Sequence, residues 1–233
     1  MRKKVTFKTP ITLLILFFVF TLCVKLIDVK AIGPEGSEVG FAGINRLFYE
    51  LIGYRPAYYV CTQIVGYIAI SIMIFFFLIG LKQLIQRKSL PKVDQNIMMM
   101  GTAYFIMLVF YGLFQLIVVN YRPVIIDLKE GLEASYPSSH TVLAIGTFLL
   151  AALQVPYYVK KEKSQVILKS LCLFFVLYMI VGRMISGIHW FTDIIAALIL
   201  AAAVVTLYMA AEQTFIYNRV NNSCEKENPE DGK

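Results

Sequence analysis

Six long apolar runs restrict the folds that are open to this chain. A helix rises about 1.5 Å per residue, so about 20 apolar residues are needed to cross about 30 Å of hydrocarbon. Inside a bilayer such a run must satisfy its own backbone hydrogen bonds, which favours the α-helix. The sequence therefore predicts an all-α, polytopic membrane protein built as a six-transmembrane-helix bundle. The runs lie near residues 10–27, 59–81, 97–119, 141–157, 166–186 and 191–211.

The composition supports a membrane protein and excludes an ordinary soluble domain. Hydrophobic residues make up 58% of the 233 residues and charged residues 16%, whereas soluble domains carry about 45–50% and about 25%. The apolar content also argues against disorder over most of the length. We expect residues 1–211 to form a single membrane-embedded domain. Residues 212–233 are expected to form a polar cytoplasmic tail that begins as a fraying helix end and becomes disordered.

The net charge of +7 does not indicate a nucleic-acid partner, because the basic residues flank apolar runs instead of covering a polar face. Their distribution instead predicts how the chain is oriented in the membrane. Fifteen of the 22 Lys and Arg residues lie at the N-terminus, after the second and fourth runs, and in the tail. The positive-inside rule makes these flanks cytoplasmic. The chain is thus predicted to be a multi-pass plasma-membrane protein with both termini inside. Residues 28–58, 120–140 and 187–190 are predicted to face outward.

Two further features of the N-terminal part have alternative interpretations. The first apolar run could belong to a signal peptide, but it exceeds the usual length of ~7–15 residues, which favours an uncleaved span. In the first outer segment, apolar residues recur at helical spacing from Phe41 to Ile52, and Asn45, Arg46 and Glu50 fall on the other side. This pattern predicts a short helix in the outer interface, and a helix packed on the bundle is an equally good interpretation.

The cysteines give no indication of a metal site. They form no CxxC motif and lie far from both histidines, so zinc is not expected. Buried apolar thiols are the preferred interpretation, and a disulfide between Cys23 and Cys61 near the outer surface is the alternative. The four positions are Cys23, Cys61, Cys172 and Cys224.

The chain has two histidines, and each lies where an outer segment enters a membrane helix. His140 ends the segment Pro137-Ser138-Ser139-His140 just before the fourth run, and His189 lies at the start of the sixth. A helix N-terminus presents free N–H groups and a partial positive charge, which suit an anion. Both histidines are on the predicted outer side, so they are candidates for one shared site.

Three charged residues are predicted to lie at the same depth as the histidines. Arg122 follows the third run, Arg183 lies near the outer end of the fifth, and Asp193 lies one turn inside the sixth. Ionisable groups at this depth usually face a partner or a cavity. Asp193 follows His189 by four residues and so shares its helix face. We expect the carboxylate to accept a hydrogen bond from one ring nitrogen and to make the other a better nucleophile or base.

Each of these residues has an ordinary structural explanation when it is taken alone. An interfacial histidine commonly serves as a hydrogen-bonding residue, an arginine near the end of a span extends to the headgroups, and serines before a helix cap it. Their convergence on one face of the membrane, in a chain poor in polar residues, favours a shared anion site.

At these positions the sequence resembles the phosphatidic acid phosphatase type 2 superfamily, the membrane lipid phosphatases related to vanadium haloperoxidases. The resemblance covers residues 115–195, and six spans agree with the core of that family. The third block matches in spacing at every charged position. The matching residues are Arg122 and Pro123 in the first block, Pro137, Ser138 and His140 in the second, and Arg183, His189 and Asp193 in the third.

The chain departs from the family pattern at three positions. Gln115 replaces a phosphate-binding lysine, and Lys129 in the same outer loop is a candidate to substitute for it. Ser139 stands where the family usually has glycine, which keeps the amide N–H. Gly182 replaces the usual serine before Arg183.

The resemblance implies a mechanism without metal or cofactor. His189 would attack phosphorus and form a phosphohistidine, and Asp193 would orient it. His140 would protonate the leaving oxygen and then act as the base for water. The residues expected to bind the phosphoryl oxygens are Arg122, Arg183, Ser138 and Ser139, with Lys129 and Gln115 as accessory candidates.

A site of this kind at the outer interface suits a phosphate on a membrane lipid. Undecaprenyl diphosphate, phosphatidic acid and phosphatidylglycerol phosphate are the candidates. The short loops and basic inner face favour the isoprenoid diphosphate, by family analogy alone. The alternative class is non-catalytic: a transporter of anions or lipids, or an assembly factor on the same fold. The clustering of charge at the outer end favours the enzyme, whereas Gln115 is the best support for an assembly factor.

Overall fold

The computed structural model describes residues 6–227, with side chains as far as residue 216. Two short strands, β1 (Lys30–Ala31) and β2 (Glu38–Val39), pair antiparallel between the first two helices. The helices of the described chain are α1 (Lys8–Leu26), α2 (Ala42–Ile52), α3 (Pro56–Arg87), α4 (Gln95–Leu116), α5 (Ser139–Tyr158), α6 (Glu162–Ser186) and α7 (Phe191–Glu227).

Every helix in this set except α2 is long and apolar enough to cross a membrane. The prediction of an all-α, six-span membrane protein is therefore confirmed. Since successive spans alternate in direction, six of them return the chain to the side on which it began.

Several predicted helix ends were wrong. The third span ends at Leu116 and not at 119, because the β-branched residues 117–119 leave the helix and lead Asn120 into the protein interior. Helix α3 continues to Arg87, past the predicted end at 81, because no proline or polar turn interrupts it. Helix α7 continues to Glu227, so much of the predicted polar tail is helical. The predicted disorder at residues 228–233 lies outside the described residues.

Helices α5 and α7 form the centre of the bundle and are the most buried spans. Small residues make this packing close: Ala196, Ala197 and Ala201 of α7 are fully buried. On α5, a Cβ atom at Gly146 would stand 2.4 Å from the sulfur of Met107 on α4. The alanine pattern of the last span therefore serves packing within one bundle, and α5 and α7 hold their outer ends in a fixed relation.

The predicted helix near residues 41–52 is present as α2, but its polar side is not simply exposed. Asn45 is fully buried, whereas Leu47 and Leu51 are 54% and 70% exposed. One edge of α2 thus packs on the bundle and the other edge is apolar and open. Asn45 is buried because its side chain donates to the carbonyl of Gly40 and to the hydroxyl of Thr192.

The cysteines whose side chains are described form no disulfide. Cys23 and Cys61 are free thiols, and Cys61 is exposed on the outside of the bundle, so neither the disulfide nor full burial describes it. Cys172 is half-buried and also free. The side chain of Cys224 lies outside the described part.

Candidate functional site

The short link between α6 and α7 lies at one end of the bundle, against the segment between α2 and α3, where the Arg55 N–H donates to the carbonyl of Ser186. This link carries His189 and begins at Gly187, whose φ of +67° lies in the left-handed region. A Cβ atom at Gly187 would stand 2.0 Å from the carbonyl oxygen of Gly53. Only glycine fits both the backbone angle and the close approach. The sequence therefore turns sharply here and places His189 at the apex between two spans.

His189 and Asp193 are close but do not form the hydrogen bond that we predicted. The Nδ1 atom of His189 lies 3.7 Å from Oδ2 of Asp193, which is too far for one. The carboxylate is held by other donors instead: the Trp190 N–H at 3.0 Å and the Asn120 amide at 3.1 Å. Asp193 is fully buried. The carboxylate thus has a fixed position from which it can stabilise charge on the His189 ring.

The start of α5 is attached to the start of α7. The backbone N–H of Ser138 donates to the carbonyl of Asp193 at 3.2 Å. The Ser138 hydroxyl lies 2.7 Å from the hydroxyl of Thr141, and it makes no capping bond to the helix. Serine capping, the ordinary explanation for this position, is therefore not observed for Ser138. The first N–H groups of α5 keep the open donors of a helix N-terminus.

Arg122 and Arg183 reach the same region from different elements. Arg122 forms an ion pair with Glu133 at 3.1 Å. Arg183 is fully buried; its guanidinium donates to Gln63 of α3 and stands 5.5 Å from the centre of the Tyr59 ring. Each of these contacts leaves part of the guanidinium group unused.

Five buried nitrogen atoms of three residues have no hydrogen-bond partner among the described residues. They are Nε and Nη1 of Arg122, Nε of Arg183, and both ring nitrogens of His189. Buried polar atoms without partners are uncommon because desolvation is costly. Guanidinium groups donate well to phosphoryl oxygens. The unused donors therefore indicate a site for an oxyanion.

The electrostatic environment keeps His189 neutral. Burial lowers the pKa of His189 well below its ordinary value, and the positive charges of Arg122 and Arg183 lower it further. The backbone of Ser135 acts in the opposite direction. A neutral imidazole has a free lone pair, which is what a nucleophile requires.

His140 lies in the first turn of α5 and faces the same site. It is half-buried, and its Cδ2 atom would be 3.5 Å from a Cβ atom built on Gly66 of α3. The guanidinium groups of Arg183 and Arg122 lie near enough to act electrostatically on its ring. The structure therefore brings the residues of all three sequence blocks to one end of the bundle.

Two accessory candidates are not brought into this arrangement. Lys129 is exposed in a turn, where its backbone N–H donates to Asp127 at 2.8 Å. No contact joins its side chain to a predicted site residue within the described chain. Gln115 is exposed on α4 and lines a small cleft with Pro137 and Ser139, so it lies beside the second block and not inside the site.

Sequence reasoning missed three buried or half-buried polar residues that support the site. Asn120 holds Asp193, Gln63 holds Arg183, and Glu133 pairs with Arg122. A signal was present for two of them. Asn120 is the first polar residue after an apolar run, and Gln63 interrupts an apolar span. Their partners lie more than 70 residues away, which the sequence does not reveal.

Helix α2 packs against the turn that carries the nucleophile candidate. The Phe48 ring stacks on Phe191 with centroids 4.1 Å apart, and Tyr49 lies 5.7 Å from Trp190. The backbone N–H of Thr192 donates to the Asn45 side chain at 3.2 Å. Helix α2 thus contacts three consecutive residues after His189.

No group of three or more His, Cys, Asp or Glu side chains that could hold a metal ion occurs within the described residues. The site residues do not suit a resident divalent cation either, because two arginines carry the local charge and the buried Asp193 already accepts two hydrogen bonds. The absence of a metal or cofactor requirement stays a prediction.

The chain is similar to known proteins in sequence and in fold. A family model described as the PAP2 superfamily matches residues 62–217. The fold is similar to the crystal structure of a transmembrane PAP2-type phosphatidylglycerolphosphate phosphatase from Bacillus subtilis, with a TM-score of 0.60 and 14% sequence identity. That alignment covers 88% of this chain and 96% of the other. A comparison with curated protein sequences finds no match.

Proposed function

The chain belongs to the PAP2 superfamily, and from this premise we propose that it hydrolyses a phosphate or diphosphate ester on a membrane lipid. The observation that carries the proposal is the set of buried, unpartnered nitrogens on Arg122, Arg183 and His189. Such donors around a neutral histidine suit a phosphoryl group that is attacked by nitrogen. The same donors bind the charge that builds on the phosphoryl oxygens in the transition state.

The first step transfers the phosphoryl group to His189. The Nε2 lone pair attacks phosphorus, because Nδ1 faces Asp193. The N–P bond forms while the P–O bond to the lipid breaks, and the leaving oxygen takes a proton from His140, whose protonated form is stabilised by the negative charge of the bound phosphate. Asp193 stabilises the positive charge on the phosphorylated ring.

The second step releases inorganic phosphate. A water molecule attacks the phosphorus of phosphohistidine and gives a proton to His140, which is now neutral. The N–P bond breaks and its electron pair returns to His189. Both histidines are then in their starting states, and the sum of the steps is hydrolysis without a metal ion.

The substrate class follows from the position of the site at the end of a bundle of spans. A phosphate on a lipid headgroup reaches this depth while its chains stay in the bilayer. We propose undecaprenyl diphosphate or a lipid similar to phosphatidic acid. The positive-inside pattern supports an outward-facing site in the plasma membrane with both termini cytoplasmic.

The test is phosphate release by the purified protein in detergent, with EDTA present. The substrates are undecaprenyl diphosphate, phosphatidic acid, phosphatidylglycerol phosphate and a soluble phosphomonoester. We expect wild type to hydrolyse at least one lipid phosphate, vanadate to inhibit, and His189→Ala to fall to background. Lys163→Ala, an exposed change at the other end of the bundle, is the control and should match wild type. Equal rates for wild type and His189→Ala would exclude the hydrolase and favour a transporter or an assembly factor.

A further inference from the structure

A cavity lies between α3 and α4, in the half of the bundle opposite the phosphate site. It is a groove of about 660 Å³ with almost entirely apolar walls. Its lining comes from residues 73–84 of α3, residues 97–108 of α4 and the turn between the two helices. None of the residues assigned to the phosphate site lines it. The groove is therefore a separate feature of the fold.

The groove opens sideways, toward the region that lipid occupies around a spanning helix. Phe77 and Phe105 on its two walls are 66% and 67% exposed. Gly80 and Gly101 lie on its walls, one on each helix. A Cβ atom on Gly101 would meet nothing within 4 Å. Glycine at this position thus leaves space in the groove that a side chain would fill.

Unpaired positive charge lies at the end of the groove near the turn. Lys82, Lys88 and Lys92 are exposed and form no ion pair with any residue whose side chain the structure describes. They are neighbours of groove residues in the chain: Lys82 follows Leu81, and Lys92 precedes Val93. Arg87 is different, because it is paired with Asp94 at 2.7 Å.

We propose that this groove binds an anionic phospholipid, with acyl chains between α3 and α4 and the phosphate at Lys82, Lys88 and Lys92. Apolar walls inside the membrane suit acyl chains, and basic residues at the cytoplasmic end of spans attract anionic headgroups. The occupant comes from the leaflet opposite the phosphate site. The proposal does not rest on the proposed function, and it concerns a bound lipid that is not turned over.

The acyl-chain part is tested by filling the groove. Native mass spectrometry counts dioleoyl phosphatidylglycerol bound to the purified protein, with dioleoyl phosphatidylcholine as the neutral comparison. We expect Gly101→Phe to lose at least tenfold in phosphatidylglycerol binding. Gly112→Phe is the matched control, because Gly112 is also exposed on α4, has nothing within 4 Å of its Cβ position and lies outside the groove. Binding by Gly101→Phe that equals the control would overturn the proposal.

The headgroup part is tested with charge variants that leave the groove open. The triple variant Lys82→Gln, Lys88→Gln and Lys92→Gln should lose the preference for phosphatidylglycerol over phosphatidylcholine. The control triple variant Lys160→Gln, Lys161→Gln and Lys163→Gln removes equal charge from another loop and should keep that preference. His189→Ala should bind as wild type does, which separates this lipid from the phosphate site.

Two further results would contradict the proposal. Wild type that binds the two lipids equally has no anionic site. The second contradicting result concerns the oligomeric state. If wild type is a dimer, and Gly101→Phe is a monomer with the same amount of bound lipid, the groove holds a second copy of the chain. The lysine variants decide the matter if the Gly101 variant does not fold.

Discussion

Asp193 depends on Asn120 for its position, since the Asn120 amide donates to one carboxylate oxygen and the Trp190 N–H donates to the other. Removing one donor leaves a buried charge less well satisfied and free to turn away from His189. Residues that orient metal ligands typically contribute about 10–100-fold in activity, and we expect an effect of this order for a residue that holds Asp193. On the proposed mechanism, Asn120 is a positioning residue whose effect should appear in kcat.

We predict that Asn120→Ala lowers kcat about 10–100-fold while KM changes little. Phosphate release under steady-state conditions measures both constants. Asn120→Asp should be worse than Ala, because it sets a second carboxylate against Asp193. The control is Asn96→Ala. The side-chain amide of Asn96, on α4, donates a hydrogen bond to Gln154 at the far end of the bundle. An unchanged kcat in Asn120→Ala would show that Asp193 needs no such support.

The lowered pKa of His189 gives the stability of the protein a pH dependence. The unfolded chain binds a proton at this residue below pH about 6.5, its ordinary pKa, whereas the folded protein does so only at lower pH. The unfolded state thus binds more protons between these two values, so stability falls as the pH falls through this window. Above pH about 6.5, His189 is neutral in both states, and the stability lost at lower pH is fully present.

We predict that His189→Gln loses part of this dependence. Thermal unfolding in detergent from pH 7.5 to pH 4.5 measures it as the decrease of Tm. The decrease should be smaller in the variant than in wild type, because glutamine binds no proton. A decrease of equal size in both proteins would show that other groups cause the acid sensitivity.

At the scale of elements, α2 acts as a clamp on the turn after His189. Its buried edge contacts residues 190–192 through Tyr49, Phe48 and Asn45. Its other edge carries Leu47 and Leu51, which are exposed. Helix α2 therefore helps to fix the position of the α7 N-terminus.

We predict that Asn45→Ala destabilises the protein by about 1–3 kcal/mol, since it leaves buried partners unsatisfied, and lowers kcat. Arg46→Ala is the matched control, because Arg46 is the next residue of α2 and is exposed. Tm and phosphate release are measured on both variants. If Asn45→Ala lowers Tm but the folded protein keeps full activity, the role of α2 is purely structural.

The sequence predicted elements better than contacts. The spans follow from hydrophobic length, which is local, and so they were found to within a few residues at most ends. The helix ends depend on tertiary contacts as well. Helix α4 ends at Leu116, and the non-helical residues 117–119 then bring Asn120 to Asp193. The predicted hydrogen bond between His189 and Asp193 is not formed. A spacing of four residues places both side chains on one helix face, but the donors Asn120 and Trp190 determine where the carboxylate lies.

At the scale of the whole molecule, six spans return the chain to the side on which α1 begins, so the phosphate site has two alternative orientations in the membrane. Basic residues gather at the opposite end of the bundle, which predicts that this end is cytoplasmic. Lys129 and Lys161 are exposed and lie on opposite sides in this topology.

We predict that a cysteine replacing Lys129 reacts with a membrane-impermeant maleimide in intact cells. A cysteine replacing Lys161 should react only after the membrane is opened. The four native cysteines are first replaced by serine so that each protein has one thiol. The reverse labelling pattern would place the phosphate site in the cytoplasm.

The glycine turn before His189 also has a consequence for biosynthesis. Everything that precedes it in the chain, including His140 and both arginines, leaves the ribosome before the final span does. Because His189 stands at the apex of the last helical hairpin and Asp193 lies just beyond it, the pocket is completed only when that hairpin is inserted. On the proposed mechanism, a nascent chain is therefore inert until its final segment is inserted, and shortened products of interrupted translation carry no activity into the membrane.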